Sequence, residues 1–87
     1  MRREWEGMEN PADQTADCEG LLCPLPVLRA RKILLSMGVG QVLEIRTTDP
    51  MARIDLPHFC GQAGHEYLGL AEVGGVLIHR IRRGFHA

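Results

Sequence analysis

Between Val27 and Thr48 the spacing of apolar residues changes once, and that change limits the folds open to the chain. Val27, Ala30, Leu34 and Met37 stand at i, i+3, i+7 and i+10, with Ile33 beside them. That is the stripe of an amphipathic helix. Arg29, Lys32 and Ser36 fall mainly on the other side. Pro26 suits the first helical position, where its missing N–H is not needed, and Gly38 and Gly40 are expected to end the helix. From Gln41 to Thr48 the period becomes two. Leu43, Ile45 and Thr47 share one face, and Glu44, Arg46 and Thr48 the other, as in a half-buried strand.

The flanking segments complete the pattern. Thr15–Glu19 is a short strand candidate. Asp49-Pro50 is a helix start, a cap followed by a first-turn proline. The helix it opens, Met51 to Ala63, is expected to be interrupted or kinked near Pro57 and to stop at Gly64. Glu66–Val73 and Val76–Arg83 flank Gly74-Gly75, a two-residue hairpin signal. Pairing Val73 with Val76 places Leu68, Leu70, Leu77 and Ile81 on one face. It sets His79 opposite Leu70 as a partly buried histidine, and it leaves Val73, Val76 and Ile78 on the opposite face. The order β-α-β-α-β-β predicts a two-layer α/β (α+β) sandwich, a four-stranded mixed sheet with two helices on one face. The first β-α-β is expected to be a right-handed parallel crossover.

Eighty-seven residues leave room for one domain with a small core. Residues 1–14 show no period and are expected to form a mobile tail, with Trp5 solvated, ahead of a domain at 15–84. Charge divides in the same way. Residues 1–19 carry six acids against Arg2 and Arg3, whereas residues 20–87 carry eight bases against five acids. Nine of the ten bases are Arg, the side chain suited to carboxylate or phosphate. The aromatic share of 5% argues against a base-stacking nucleic-acid module. No run is long and apolar enough for a membrane helix, and none resembles a signal peptide. Cys18, Cys23 and Cys60 are odd in number and too few for a disulfide scaffold. A reducing cytoplasm is the expected setting.

The sharpest local feature is Cys23-Pro24-Leu25-Pro26 at the start of the first helix. A helix N-terminus carries about half a positive charge and free N–H groups. Pro24 and Pro26 stiffen the approach, and Arg29, Arg31 and Lys32 follow within two turns. A helix-end effect of about 1 kcal/mol would bring a thiol from about 8.5 to about 7.8. This describes a modestly activated nucleophile, suited to thiol exchange. Hydrolysis would need an adjacent base held by a third group, and no such constellation is evident. The bland alternative is an ordinary half-buried cysteine beside turn-forming prolines.

Asp17-Cys18-Glu19-Gly20-Leu21-Leu22-Cys23-Pro24-Leu25-Pro26, then Asp49-Pro50, then Asp55-Leu56-Pro57-His58-Phe59-Cys60, then Gly64-His65-Glu66 resemble the TusA/SirA-like sulfur carrier family. The resemblance runs from about residue 15 to residue 84. It implies a βαβαββ fold similar to the C-terminal domain of a bacterial translation initiation factor. It implies that Cys23 accepts sulfane sulfur as a persulfide from a cysteine desulfurase or a rhodanese, then passes it to a downstream acceptor protein. Family uses include tRNA thiolation, molybdenum-cofactor maturation and sulfur oxidation. Asp17, Gly20, Pro24, Pro26, Asp49 and Asp55 are then expected to shape the Cys23 loop. Arg29, Arg31 and Lys32 are expected to dock acidic partner surfaces.

This reading needs no cofactor, metal or membrane, and expects no direct contact with nucleic acid. Cys60 is expected to pack in the core and Cys18 to turn to a neighbouring strand; a Cys18–Cys23 disulfide would consume the nucleophile. Two other classes stand beside it. A nucleic-acid-binding or regulatory module is suggested by the fold analogy and the basic core. A metal site could draw on Cys23, His58, Cys60 and His65, but the C-x-x-C spacing of a zinc knuckle is missing.

Overall fold

The computed structural model describes residues 10–85; Trp5 and the rest of residues 1–9 lie outside it, as do residues 86 and 87. Six elements follow one another: β1 (Gln14–Cys18), α1 (Leu25–Leu35), β2 (Val42–Thr47), α2 (Ala52–Ala63), β3 (Glu66–Val73) and β4 (Val76–Arg82). The strands form one sheet in the order β1-β2-β4-β3. β1 and β2 run parallel on either side of α1, and β4 is antiparallel to both β2 and β3.

The period-two reading of β2 places the core. Leu43, Ile45 and Thr47 are fully buried. Ala16 and Cys18 stand beside Ile45 and Thr47 on β1, and Ile81 and His79 stand opposite Leu43 and Ile45 on β4. Ala30, Leu34 and Met37 from α1 and its C-terminal turn join this face, as do Ala52, Leu56 and Cys60 from α2. Both helices therefore cover the same side of the sheet. Leu34, Leu43, Ile45, Leu56 and Ile81 are each less than 2% exposed. Each contributes about 1.5–3 kcal/mol through removal of apolar surface from water.

The other face is held by charge. The guanidinium of Arg80, itself buried, donates to Glu44 Oε1 from Nε at 3.1 Å and from Nη2 at 3.0 Å, and a third donor bonds the carbonyl of Asn10. The backbone N–H of Asp13 donates to the Val42 carbonyl at 2.9 Å, and its carboxylate accepts from the Val42 N–H at 2.7 Å. Residues 10–14, read from the sequence as the end of a mobile tail, are thus bound to the sheet, and β1 begins at Gln14. Val73 is exposed and Val76 and Ile78 are half-buried.

Several local expectations are adjusted. Leu25 is the first residue of α1 and Pro26 the second. α2 runs uninterrupted through Pro57. The proline removes only the bond its N–H would have made to the Arg53 carbonyl, and the buried stripe Ala52, Leu56 and Cys60 holds the flanking turns together. The Gly74-Gly75 turn has φ of 57° and 82°, the two left-handed residues of a type I′ turn, and Val73 pairs with Val76. Further along the hairpin the register shifts between Tyr67 and Gly69. Tyr67, not Leu68, stands opposite Ile81. Leu68 is buried but lies outside the core cluster, while Tyr67 packs against it.

The shift has a polar consequence. The Tyr67 hydroxyl lies 2.8 Å from His79 Nδ1, and Thr47 Oγ1 lies 2.8 Å from His79 Nε2. His79 is wholly buried rather than partly so, and both its nitrogens are satisfied by groups from the neighbouring strands. Burial, with a smaller contribution from Arg53, lowers its pKa to about 4.

Candidate functional site

The parallel register of β1 and β2 determines where the site forms. Cys18 stands beside Thr47, so the segments leaving the two strands emerge side by side. The chain turns at once after β1. Asp17 Oδ1 accepts the Glu19 N–H at 2.9 Å, and the Leu21 N–H bonds the Cys18 carbonyl at 3.1 Å. Gly20 takes φ +82°, which a side chain would strain. Its N–H donates to Thr48 Oγ1 at 2.9 Å, tying the loop to the end of β2.

Three residues later, Asp49 makes the second tie. Its Oδ2 accepts the backbone N–H of Cys23 at 2.8 Å, and its Oδ1 accepts the N–H of Met51 at 3.1 Å. One carboxylate therefore joins the cysteine loop to the start of α2. The cap expected of Asp49 is not there: the N-cap of α2 is Met51, the helix begins at Ala52 after Pro50, and Asp49 instead ties the preceding turn to the cysteine loop. Asp55 is the acid in the first turn of α2 and is half-buried. The Cys23-Pro24 peptide bond is cis. Pro24 occupies the N-cap of α1, and no side chain caps that end.

Among the three cysteines, all of them free, Cys23 alone is exposed. Cys18 and Cys60 are at most 1% exposed. Burial raises the pKa of the Cys18 thiol, with Arg29 pulling it down and Asp17 pushing it up to lesser degrees. Burial pushes Cys60 to about 12. These two are inert packing groups.

The environment of Cys23 corrects the expectation of an acidified thiol. The nearby Asp55 carboxylate first, then partial desolvation and the negative charge of Asp49, raise its pKa above the ordinary thiol value. A helix end acts in the opposite sense but weakly at a surface. The nearby cation Arg29 acts on Cys18 instead. Both carboxylates belong to the segment that opens α2, and neither lies within 25 residues of Cys23 in the sequence.

Arg29, Arg31 and Lys32 are exposed on α1, and none forms an ion pair among the described residues. The segments that open α1 and α2 also carry exposed apolar residues that the sequence reading did not single out. Leu22 is 68% exposed and Ile54 is 64% exposed, and Leu25, Leu28 and Met51 are about half exposed. Their signal was present in the sequence as apolar residues off the buried stripe of α1, at Leu25 and Leu28, and beside Asp49 and Asp55, at Met51 and Ile54. The cysteine and histidines of the metal alternative are not brought together. His58 is exposed, Cys60 is buried, and His65 Nδ1 accepts the Gly84 N–H at 2.9 Å. Among the described residues no group of three His, Cys, Asp or Glu side chains could hold a metal ion.

The fold and site together define a small α/β sandwich that presents one accessible cysteine at a helix start. Comparison with known proteins gives that class its family. The family model described as sulfurtransferase TusA matches residues 14–83. The sulfur carrier protein TusA of Allochromatium vinosum is 48% identical over 71 residues, covering 82% of this chain and 93% of that protein. That of Pseudomonas entomophila is 42% identical over 71 residues, covering 82% of this chain and 89% of its own. The crystal structure of a SirA-like protein from Desulfitobacterium hafniense superposes with a TM-score of 0.69 at 32% identity, covering 82% of this chain and 97% of that one. The chain belongs to the TusA family, and its role is that of a sulfur carrier. No helix among the described residues is long and apolar enough to cross a membrane.

Proposed function

We propose that the protein carries sulfane sulfur on Cys23 as a persulfide and relays it in the cytoplasm from a donor protein, a cysteine desulfurase or a rhodanese, to an acceptor protein. The observation that carries this reading is the contrast among the cysteines: one exposed thiol at the start of α1, and two sealed in the core. The Cys23 sulfur attacks the outer sulfur of the donor persulfide. A new S–S bond forms as the donor S–S bond breaks, and the donor sulfur leaves with the electron pair and takes up the proton lost from Cys23. The acceptor thiol then attacks the terminal sulfur and regenerates the Cys23 thiol. Neither step needs a cofactor or an external oxidant.

Both partners must reach the same sulfur, so their docking surface must surround it. Leu22, Leu25, Leu28, Met51 and Ile54 supply apolar contact area, and Arg29, Arg31 and Lys32 supply unpaired positive charge along α1. Such a surface fits a partner with an apolar centre and an acidic rim, the charges acting mostly on the rate of encounter. tRNA thiolation, molybdenum-cofactor maturation and sulfur oxidation are the family routes into which this relay would feed.

The test is intact mass after incubation with a cysteine desulfurase and cysteine. The wild type and the Cys18→Ser and Cys60→Ser variants should gain the mass of one sulfur atom, released again by a reducing thiol. Cys23→Ser should gain none. A wild type that gains nothing, or a gain that survives in Cys23→Ser, contradicts the proposal.

A further inference from the structure

We propose that Leu22 is a specificity-determining residue of the carrier: its side chain enters an apolar recess beside the donor protein's persulfide while Cys23 takes up the sulfur. The inference rests on the carrier reading above and names the contact by which the same site fits its donor.

Covalent geometry forces a contact at this position. Leu22 directly precedes Cys23, and consecutive Cα atoms stand about 3.8 Å apart. Two cysteines joined by an S–S bond bring their Cα atoms to about 4.4–6.8 Å, and each S–S bond is about 2 Å long. During transfer the carrier sulfur, the moving sulfur and the donor sulfur form a chain of three, so the donor's main chain comes within about 10 Å of Cys23. A protein surface that close covers the adjoining residue as well.

The side chain is held out to meet it. Leu22 is 68% exposed, more than any other large apolar residue from β1 to β4. Its main chain is fixed on both sides. The Gly20 N–H donates to Thr48 Oγ1 at 2.9 Å, and the Cys23 N–H donates to Asp49 Oδ2 at 2.8 Å. Within the loop the Leu21 N–H bonds the Cys18 carbonyl at 3.1 Å, and the Leu25 N–H bonds the carbonyl of Leu22 itself at 2.9 Å. A leucine on a mobile loop would have to be ordered on binding. Here the fold supplies that order beforehand, and only the side-chain rotamer remains to be set. The other oxygen of the Asp49 carboxylate accepts the N–H of Met51, a second exposed apolar residue, so two apolar residues are tied to one point beside the cysteine.

These features define the chemistry of the partner. Covering a leucine with polar groups would strip them of water without offering a hydrogen bond, so the matching surface next to the donor's persulfide is an apolar recess. Single exposed leucines are common on protein surfaces, and α1 supplies one for comparison. Leu35, its last residue, is 54% exposed. It stands about 15 Å along the helix axis from Leu25, beyond the reach that the three sulfurs impose. Leu22 and Leu35 therefore separate contact with the donor from general surface hydrophobicity.

The test is the rate of sulfur loading from a cysteine desulfurase and cysteine, read by intact mass over a range of carrier concentrations, with iodoacetamide alkylation of Cys23 as a reaction that needs no docking. Leu22→Ala should raise KM about tenfold and leave kcat within about twofold. Leu22→Met, which keeps the apolar volume, should stay within about threefold of wild type. Leu35→Ala should load like the wild type, and alkylation should run at one rate in all four proteins. Leu22→Ala with the KM of the wild type overturns the proposal. So does an alkylation rate that falls as far as loading does, which would place the effect on the thiol, and so does a Leu35→Ala protein that loses as much as Leu22→Ala. A wild type that takes up no sulfur defeats the carrier reading and this contact with it; a wild type that loads beside an unaffected Leu22→Ala removes the contact alone and leaves the carrier standing.

Discussion

Replacing Asp49 by Ala should loosen the cysteine loop without touching the core. The side chain makes two hydrogen bonds, to the N–H of Cys23 and to the N–H of Met51. Both donors belong to exposed residues, so water replaces the lost acceptor and no buried group is orphaned. Hydrogen bonds to a charged acceptor contribute about 1.5–3 kcal/mol each at best and about 0.5–1.5 kcal/mol when solvent competes. The pair should therefore cost about 1–3 kcal/mol. In a domain of this size each kcal/mol lowers the melting temperature by about 4–8 °C. Asp49→Asn keeps one acceptor oxygen and loses the charge, so it should fall between the two. Thermal unfolding gives the cost, and amide exchange gives the place. In the wild type the Cys23 N–H should be protected, and in Asp49→Ala it should exchange at the rate of an open loop. If Asp49→Ala melts with the wild type and the Cys23 amide exchanges equally fast in both, the tie between the loop and α2 is not what positions the sulfur.

Other consequences follow from particular residues. The pKa of His79 is lowered in the folded protein to about 4, against an ordinary 6.5 when unfolded, so the unfolded chain binds the extra proton first. Stability should be fully present above about pH 6.5, decline as the pH falls through about 4, and lose up to about 3 kcal/mol, measured by urea unfolding across that window. Gly20→Ala forces a side chain into a left-handed conformation and should cost about 1–2 kcal/mol in thermal unfolding. Leu34→Ala opens a cavity between α1 and the sheet and should cost about 2–5 kcal/mol by the same assay. Leu28→Asp, on the exposed side of α1, should leave the free energy of unfolding within about 0.5 kcal/mol of wild type while slowing sulfur loading from a donor at matched concentrations.

The fold was legible where its cause is local. The alternation Leu43-Glu44-Ile45-Arg46-Thr47 marked the buried face of β2, the spacing from Val27 to Met37 marked α1, and Gly74-Gly75 marked the hairpin, because each depends on neighbours within one element. The register shift at Tyr67 was not legible. One added residue leaves the run Tyr67-Leu68-Gly69-Leu70 looking like any half-buried strand, and its effect shows only against Ile81 across the sheet. His79 was underestimated for the same reason, since its two partners come from β2 and β3.

At the site, the position of Cys23 was legible from the prolines and the helix stripe that follow it. The sense in which its surroundings act on the thiol was not. From local sequence Asp49 reads only as a cap of α2, a role that any helix start invites, and the tie to the Cys23 loop came only through the family resemblance. Asp49 meets Cys23 because the parallel pairing of Cys18 with Thr47 delivers both segments to one end of the sheet. The exposed leucines of α1 were visible as residues off the buried stripe.

The central claim is that the transferable sulfur rides on one side chain, and fragment mass spectrometry of the loaded carrier after alkylation tests it most directly. The account predicts the extra sulfur on the peptide containing Cys23, with Cys18 and Cys60 unmodified until the protein is unfolded. An extra sulfur found on either buried cysteine of the folded carrier would contradict it.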